Sequence, residues 1–127
     1  MYDGYILKFE GQCINGKING KGKEYYNKNK ISFEGEYLNG KRNGKGKIFY
    51  YDGNIEFEGE YLNGERNGKG KEYNKYGDII FEGEYVKDIR WNGKGKEYNN
   101  ENNLVFEGEY KNGNKYLKGK KLEEIDK

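Results

Sequence analysis

The tripeptide Phe-Glu-Gly recurs at Phe9–Gly11, Phe33–Gly35, Phe57–Gly59, Phe81–Gly83 and Phe106–Gly108, at spacings of 24, 24, 24 and 25 residues. A second word, Asn-Gly-Lys-Gly, keeps the same phase at Asn19–Gly22, Asn43–Gly46, Asn67–Gly70 and Asn92–Gly95. Two words holding one period mean that the chain is a tandem array, in which one supersecondary unit buries its apolar side only against its neighbours. The approximate copies are 7–30, 31–54, 55–78, 79–103 and 104–127, forming one array rather than two domains in 127 residues.

The third copy shows the unit most plainly. Ile55 to Tyr61 alternates apolar and acidic residues with period two, and Lys69 to Tyr73 alternates Lys with Gly before an aromatic, so both read as strands. Asn-Gly pairs between them supply the positive φ that a tight reversal needs. Tyr-Asp-Gly or Tyr-Gly-Asp then turns the chain into the next copy. Each copy is thus a β-hairpin, and because an isolated hairpin is barely stable in water, the copies must pair edge to edge. The expected fold is all-β: an elongated, single-layer, antiparallel sheet with right-handed twist, advancing about 10 Å per copy.

These words resemble the MORN repeat, with its aromatic-x-Gly-x-aromatic, Gly, Gly-x-Gly pattern, over nearly the whole chain. The resemblance implies hairpins stacked in a single twisted sheet. It also implies a scaffold or adaptor that binds a partner helix or extended segment, or that self-associates through its groove.

Alternation along the first strands places Leu7, Phe9, Gly11 and Cys13 on one face, with Ile31/Phe33/Gly35/Tyr37, Ile55/Phe57/Gly59/Tyr61, Ile79/Phe81/Gly83/Tyr85 and Leu104/Phe106/Gly108/Tyr110 beside them. With 17% aromatic residues against 32% hydrophobic, rings supply most of the buried area. These rings are core. In a single-layer sheet the core face is also a groove, so the candidate partner-binding trough comprises Tyr37, Tyr61, Tyr85 and Tyr110, partly accessible, with Phe33, Phe57 and Phe81. Trp91, beside Arg90, reads either as a ring folded onto its own hairpin or as a binding anchor. The same ring ladder could stack on a glycan or a quaternary amine.

The opposite face carries Glu10, Glu34, Glu58, Glu82 and Glu107, joined by Glu36, Glu60, Glu84 and Glu109, and pairs of Glu60 with Lys69 and Glu58 with Lys71 would build cross-strand charge ladders. A solvated Glu/Lys lattice offers neither the two distinct environments of acid–base catalysis nor an uncompensated metal site. No enzyme, metal or cofactor is therefore expected. His is absent and Cys13 is the single cysteine, which excludes a disulfide framework and a Cys/His zinc cluster. Asn43–Gly46 lacks the Gly-Lys-Ser/Thr and following helix of a phosphate loop. A net charge of +2 is too balanced for a nucleic-acid footprint. Lys17, Lys41, Arg42, Arg66 and Arg90 are expected in loops along one edge, where anionic lipid is a possible but weaker partner because Glu65 and Asp88 interrupt the row. The N-terminus has no signal-peptide character, so a cytoplasmic location is expected, with association to cytoskeleton or membrane left open. The terminal copies are degenerate: Cys13 replaces an aromatic, Leu117 stands where Gly68 stood and Leu122 where Tyr73 stood. Residues 121–127 are expected to form a capping turn.

Overall fold

The computed structural model describes residues 6–9, 11–117 and 120–121. Every regular element among them is a strand: β1 (Ile6–Phe9), β2 (Gln12–Ile14), β3 (Lys17–Asn27), β4 (Lys30–Leu38), β5 (Lys41–Phe49), β6 (Ile55–Leu62), β7 (Glu65–Tyr73), β8 (Ile79–Val86), β9 (Ile89–Tyr98), β10 (Leu104–Lys111), β11 (Asn114–Leu117) and β12 (Lys120–Lys121). They form one antiparallel sheet in sequence order, with β1 and β2 both paired to β3. The all-β, single-sheet expectation is met. Expectations that concern Glu10, Leu122 and the capping turn after Lys121 fall outside the described residues.

Within each hairpin the reversal is a two-residue turn with both central residues at positive φ, as the type I′ geometry demands. Asn39 and Gly40 sit at 52° and 82°, and Asn63 and Gly64 at 50° and 91°. The fourth hairpin uses Lys87 at 48° and Asp88 at 70°, so there a conformation usually left to Asn-Gly is imposed on two residues with larger side chains. Where a copy has two Asn-Gly pairs, only the first makes the reversal. The second, such as Asn67-Gly68, lies inside the return strand β7, which corrects the reading that both were turn signals.

Two recurring bulges set the faces. Gly59 pairs with Gly70 and Tyr61 with Arg66, so β7 carries extra residues opposite Glu60. Glu60 is thereby left without Lys69 as its cross-strand partner on β7; it stands opposite Lys45 on β5, and its carboxylate accepts the Lys69 backbone N–H at 2.7 Å. Glu36 does the same for Lys45, also at 2.7 Å. The expected Glu58–Lys71 register is present.

The second bulge separates each Phe from the Ile or Leu two residues before it. Ile48 opposes Phe57 while the adjacent Phe49 opposes Ile55, and the same slip precedes Ile31, Ile79 and Leu104. One extra residue inverts the period-two alternation. The four aliphatics therefore leave the aromatic side on which alternation alone had placed them: none belongs to the core cluster, and Ile79 and Leu104 are exposed.

The core on the aromatic side is eight rings, Phe33, Tyr37, Phe57, Tyr61, Phe81, Tyr85, Phe106 and Tyr110, none more than 8% exposed. Phe33, Phe57 and Phe81 each meet the Tyr of their own copy and that of the next edge to face. Phe57, for example, lies 5.7 Å from Tyr61 and 5.2 Å from Tyr85, at interplanar angles of 88° and 89°. This geometry sets the positive ring edge against the negative ring face. It is possible because Gly46 and Gly70 leave the space beside the rings empty: a Cβ on Gly70 would sit 2.7 Å from Phe57 and 2.9 Å from Tyr85.

Candidate functional site: a charged groove opposite the aromatic core

The structure corrects the accessibility expected of the tyrosine rings. Tyr37, Tyr61, Tyr85 and Tyr110 are 5%, 5%, 1% and 6% exposed, because neighbouring rings cover their faces and arginines cover much of what remains. Arg42 lies 4.0 Å from the Phe33 ring centre, Arg66 stands 5.2 and 5.1 Å from those of Phe57 and Tyr85, and Arg90 is 5.3 Å from Phe81. Cation–π attraction holds the guanidinium groups there.

These arginines were expected in loops along one edge, within reach of anionic lipid. They instead lie near the starts of β5, β7 and β9, and carboxylates engage them. Arg42 makes a bidentate pair with Glu24, both bonds 2.9 Å, and Tyr37 donates to the same carboxylate at 2.6 Å. Arg90 repeats the arrangement on Glu72 at 2.8 and 2.8 Å, with Tyr85 donating at 2.5 Å. Its remaining fork donates to the Tyr110 hydroxyl at 2.8 Å. Burial, then the adjacent Glu, drive the Tyr37 and Tyr85 phenols far above the ordinary tyrosine range.

The middle copy breaks this pattern. Position 48, equivalent to Glu24 and Glu72, is Ile, so Tyr61 has no carboxylate to receive its proton. Its hydroxyl is the one buried side-chain polar atom among the described residues without a hydrogen-bond partner. Burial pushes this phenol up to about 12, against the opposing charges of Arg42 and Arg66. Arg66 stands 3.9 Å from Glu72 and takes Asp88 at 3.4 Å instead. Asp88 also accepts the Arg66 backbone N–H at 2.8 Å. The residue that strains the fourth turn thus supplies the carboxylate that Ile48 removed.

A comparison of phenylalanine variants isolates these hydroxyls. Tyr85→Phe loses a hydrogen bond to a carboxylate and is expected to cost about 2 kcal/mol, whereas Tyr61→Phe removes an unsatisfied group and is expected to be neutral or stabilising. Paired urea titrations read the difference.

Burial raises the Glu72 carboxyl, but hydrogen bonds from Arg90 and Tyr85 and the charges of Arg90 and Arg66 outweigh it, leaving the group below the ordinary range. A depressed folded-state value means stability that is complete above the unfolded value, about 4.3, and lost as pH falls through the folded one. Wild type is therefore expected to lose stability below about pH 4 more steeply than Glu72→Gln, measured as urea midpoints across an acid series.

Asn19, Asn43, Asn67 and Asn92, from the second repeated word, have a role that sequence reasoning missed. Each side-chain oxygen accepts the first turn N–H of the next hairpin, at 3.1, 3.0, 3.2 and 3.1 Å from Asn39, Asn63, Lys87 and Asn112. The second turn N–H bonds a backbone carbonyl of the same return strand, as in Gly64 to Arg42 at 2.8 Å and Gly113 to Trp91 at 3.0 Å. Every turn after the first is stapled to the preceding copy by two bonds. Asn43→Ala is expected to cost about 1 kcal/mol and to increase hydrogen exchange locally at Asn63. Trp91 is half-buried, and its ring lies against the following turn, where a Cβ on Gly113 would meet it at 3.3 Å.

The open space lies on the other face. A groove of about 1180 Å³ crosses β3 to β8, lined by Gly22, Gly35, Gly46, Gly59, Gly70 and Gly83 and by the Lys and Glu on either side of each, and by none of the core rings. Cross-strand registers arrange Lys23, Glu34, Lys47, Glu58, Lys71 and Glu82 as a row of alternating sign. The 3.8 Å Lys71–Glu82 pair is largely exposed, so such pairs contribute only a few tenths of a kcal/mol. Two residues beyond the last Glu of each first strand, on the same face, stand Leu38, Leu62 and Val86, which with Ile14 are 52%, 50%, 39% and 51% exposed. They form an apolar rim repeating about every 10 Å. Ile79 lines a smaller continuation of the groove with Glu82, Lys94, Lys96 and Glu107.

The profile of the MORN repeat matches residues 9–30, 33–55 and 57–76, together just over half of the chain. The chain belongs to the MORN-repeat family. A search of curated proteins returns no match. The MORN hairpins continue past residue 76, with Phe81, Tyr85, Phe106 and Tyr110 in the same ring stack, although the fourth copy departs from the pattern through Asp88 and its extra residue. MORN repeats serve as protein- or membrane-interaction modules, generally without catalysis.

Proposed function

We propose that this MORN array is a non-catalytic protein-interaction scaffold whose recognition face is the glycine-floored Glu/Lys groove and its apolar rim. The observation that carries this reading is the contrast between the two faces. The rings are sealed by one another and by paired arginines, whereas Leu38, Leu62 and Val86 lie open beside a continuous groove. Exposed apolar residues lining a charged channel suit an amphipathic protein segment, with the rim supplying buried area and the ladder setting orientation. A ligand stacked on the tyrosines would have to displace the ring core, and anionic lipid would compete with Glu24 and Glu72 for Arg42 and Arg90. Neither reading has a comparable open surface.

The test is affinity capture with wild type beside Leu38→Asp/Leu62→Asp, both checked for unchanged circular dichroism, followed by titration of the captured protein after purification. Binding lost in the double variant supports the groove. Binding kept in it, with wild-type affinity, removes the rim from the recognition surface.

A further inference from the structure

We infer that Asn15-Gly16 is the preferred site of spontaneous deamidation among the Asn-Gly turns of this protein. The turn dipeptide Asn-Gly occurs at Asn15, Asn39, Asn63 and Asn112, each followed by a glycine at positive φ. The reaction is the same at each. The glycine nitrogen attacks the asparagine Cγ, a C–N bond forms, the side-chain nitrogen leaves as ammonia with the proton of that N–H, and water opens the succinimide to aspartate or isoaspartate. Glycine has no Cβ to hinder the attack, so protection must come from the fold.

The fold protects three of the four. The attacking nitrogens of Gly40, Gly64 and Gly113 are held as donors to Ile18, Arg42 and Trp91 carbonyls at 2.9, 2.8 and 3.0 Å. The asparagines before them are held through their own N–H by Asn19, Asn43 and Asn92. Neither Asn15 nor Gly16 has a hydrogen bond to another turn or strand among the described residues, both are exposed, and a Cβ on Gly16 would meet nothing within 4 Å. Ring closure at the stapled turns requires two bonds to open, which lowers the reactive population roughly ten- to a hundredfold. Asn15 pays no such penalty. Its isoaspartyl product lengthens the backbone of a two-residue turn whose Ile14–Lys17 register depends on that length.

The test is peptide mapping by mass spectrometry of the full chain aged in mildly alkaline buffer, natively and in urea, with isoaspartate detected by enzymatic methylation. The expected result is conversion at Asn15 on the order of tenfold or more faster than at Asn39, Asn63 and Asn112 in the native protein, with the four rates converging in urea. Asn43→Ala, which removes one staple, is expected to raise the Asn63 rate and leave Asn39 unchanged. Equal native rates would overturn the inference, as would an Asn15 preference that persists in urea, since local sequence rather than the fold would then set it.

Discussion

Phe57→Ala is expected to cost about 4 kcal/mol and to divide the array. The ring is 1% exposed, contacts Tyr61 and Tyr85 edge to face, and lies under Arg66. Its removal leaves a cavity that the stiff backbone of paired strands cannot collapse to fill. In a repeat array each copy is stabilised only by its neighbours, so a central loss uncouples the two halves. Urea unfolding of wild type should be a single transition, whereas the variant should show two, with hydrogen exchange in β8 to β10 separating from that in β3 to β5. Phe106→Ala, at the thinner end and 8% exposed, should cost less and leave one transition. Equal costs at both positions would contradict the nearest-neighbour account.

Gly59→Ala is expected to cost about 3 kcal/mol, from a change of a single methyl group. A Cβ there would lie 2.6 Å from the Lys69 carbonyl oxygen and 2.7 Å from the Gly70 Cα, both backbone atoms of the paired strand. Neither can move without breaking the ladder that aligns the copies. Gly53→Ala is the control: it sits at φ 96° with nothing within 4 Å of its Cβ, so it carries conformational strain of about 1 kcal/mol without a clash. The excess cost at Gly59, read as the difference in urea midpoints, measures how closely neighbouring strands approach behind the rings.

The period-two alternation of Phe57, Gly59 and Tyr61 was enough to assign the hairpin, the sheet and the ring core, because burial and pleating act on the same residues. It misplaced Ile55 and the partner of Glu60, since bulges come from backbone pairing and alternation carries no trace of an extra residue. It also led to open space being expected beside the rings, whereas the rings are buried and the open groove lies on the Glu/Lys face. Composition identifies two faces but does not reveal that arginines from the return strands close one of them. Arg42 and Arg90 looked like loop charges because their partners, Glu24 and Glu72, lie 18 residues earlier. The staple made by Asn43 was hidden by its own sequence, as Asn-Gly is a strong turn signal yet Asn43-Gly44 lies within β5. A usable clue was present: Asn recurred at this position while Asp88 replaced the turn glycine of the fourth copy.

The assignment of faces is tested most directly by tyrosine nitration of the folded chain, mapped by mass spectrometry. Tyr51 and Tyr76, 56% and 57% exposed, should react readily, whereas Tyr37, Tyr61, Tyr85 and Tyr110 should stay unmodified until urea unfolds the sheet. Modification of those four at the rate of Tyr51 and Tyr76, with the circular dichroism unchanged, would contradict the account by making the ring face a surface and removing the reason to place recognition in the groove behind it.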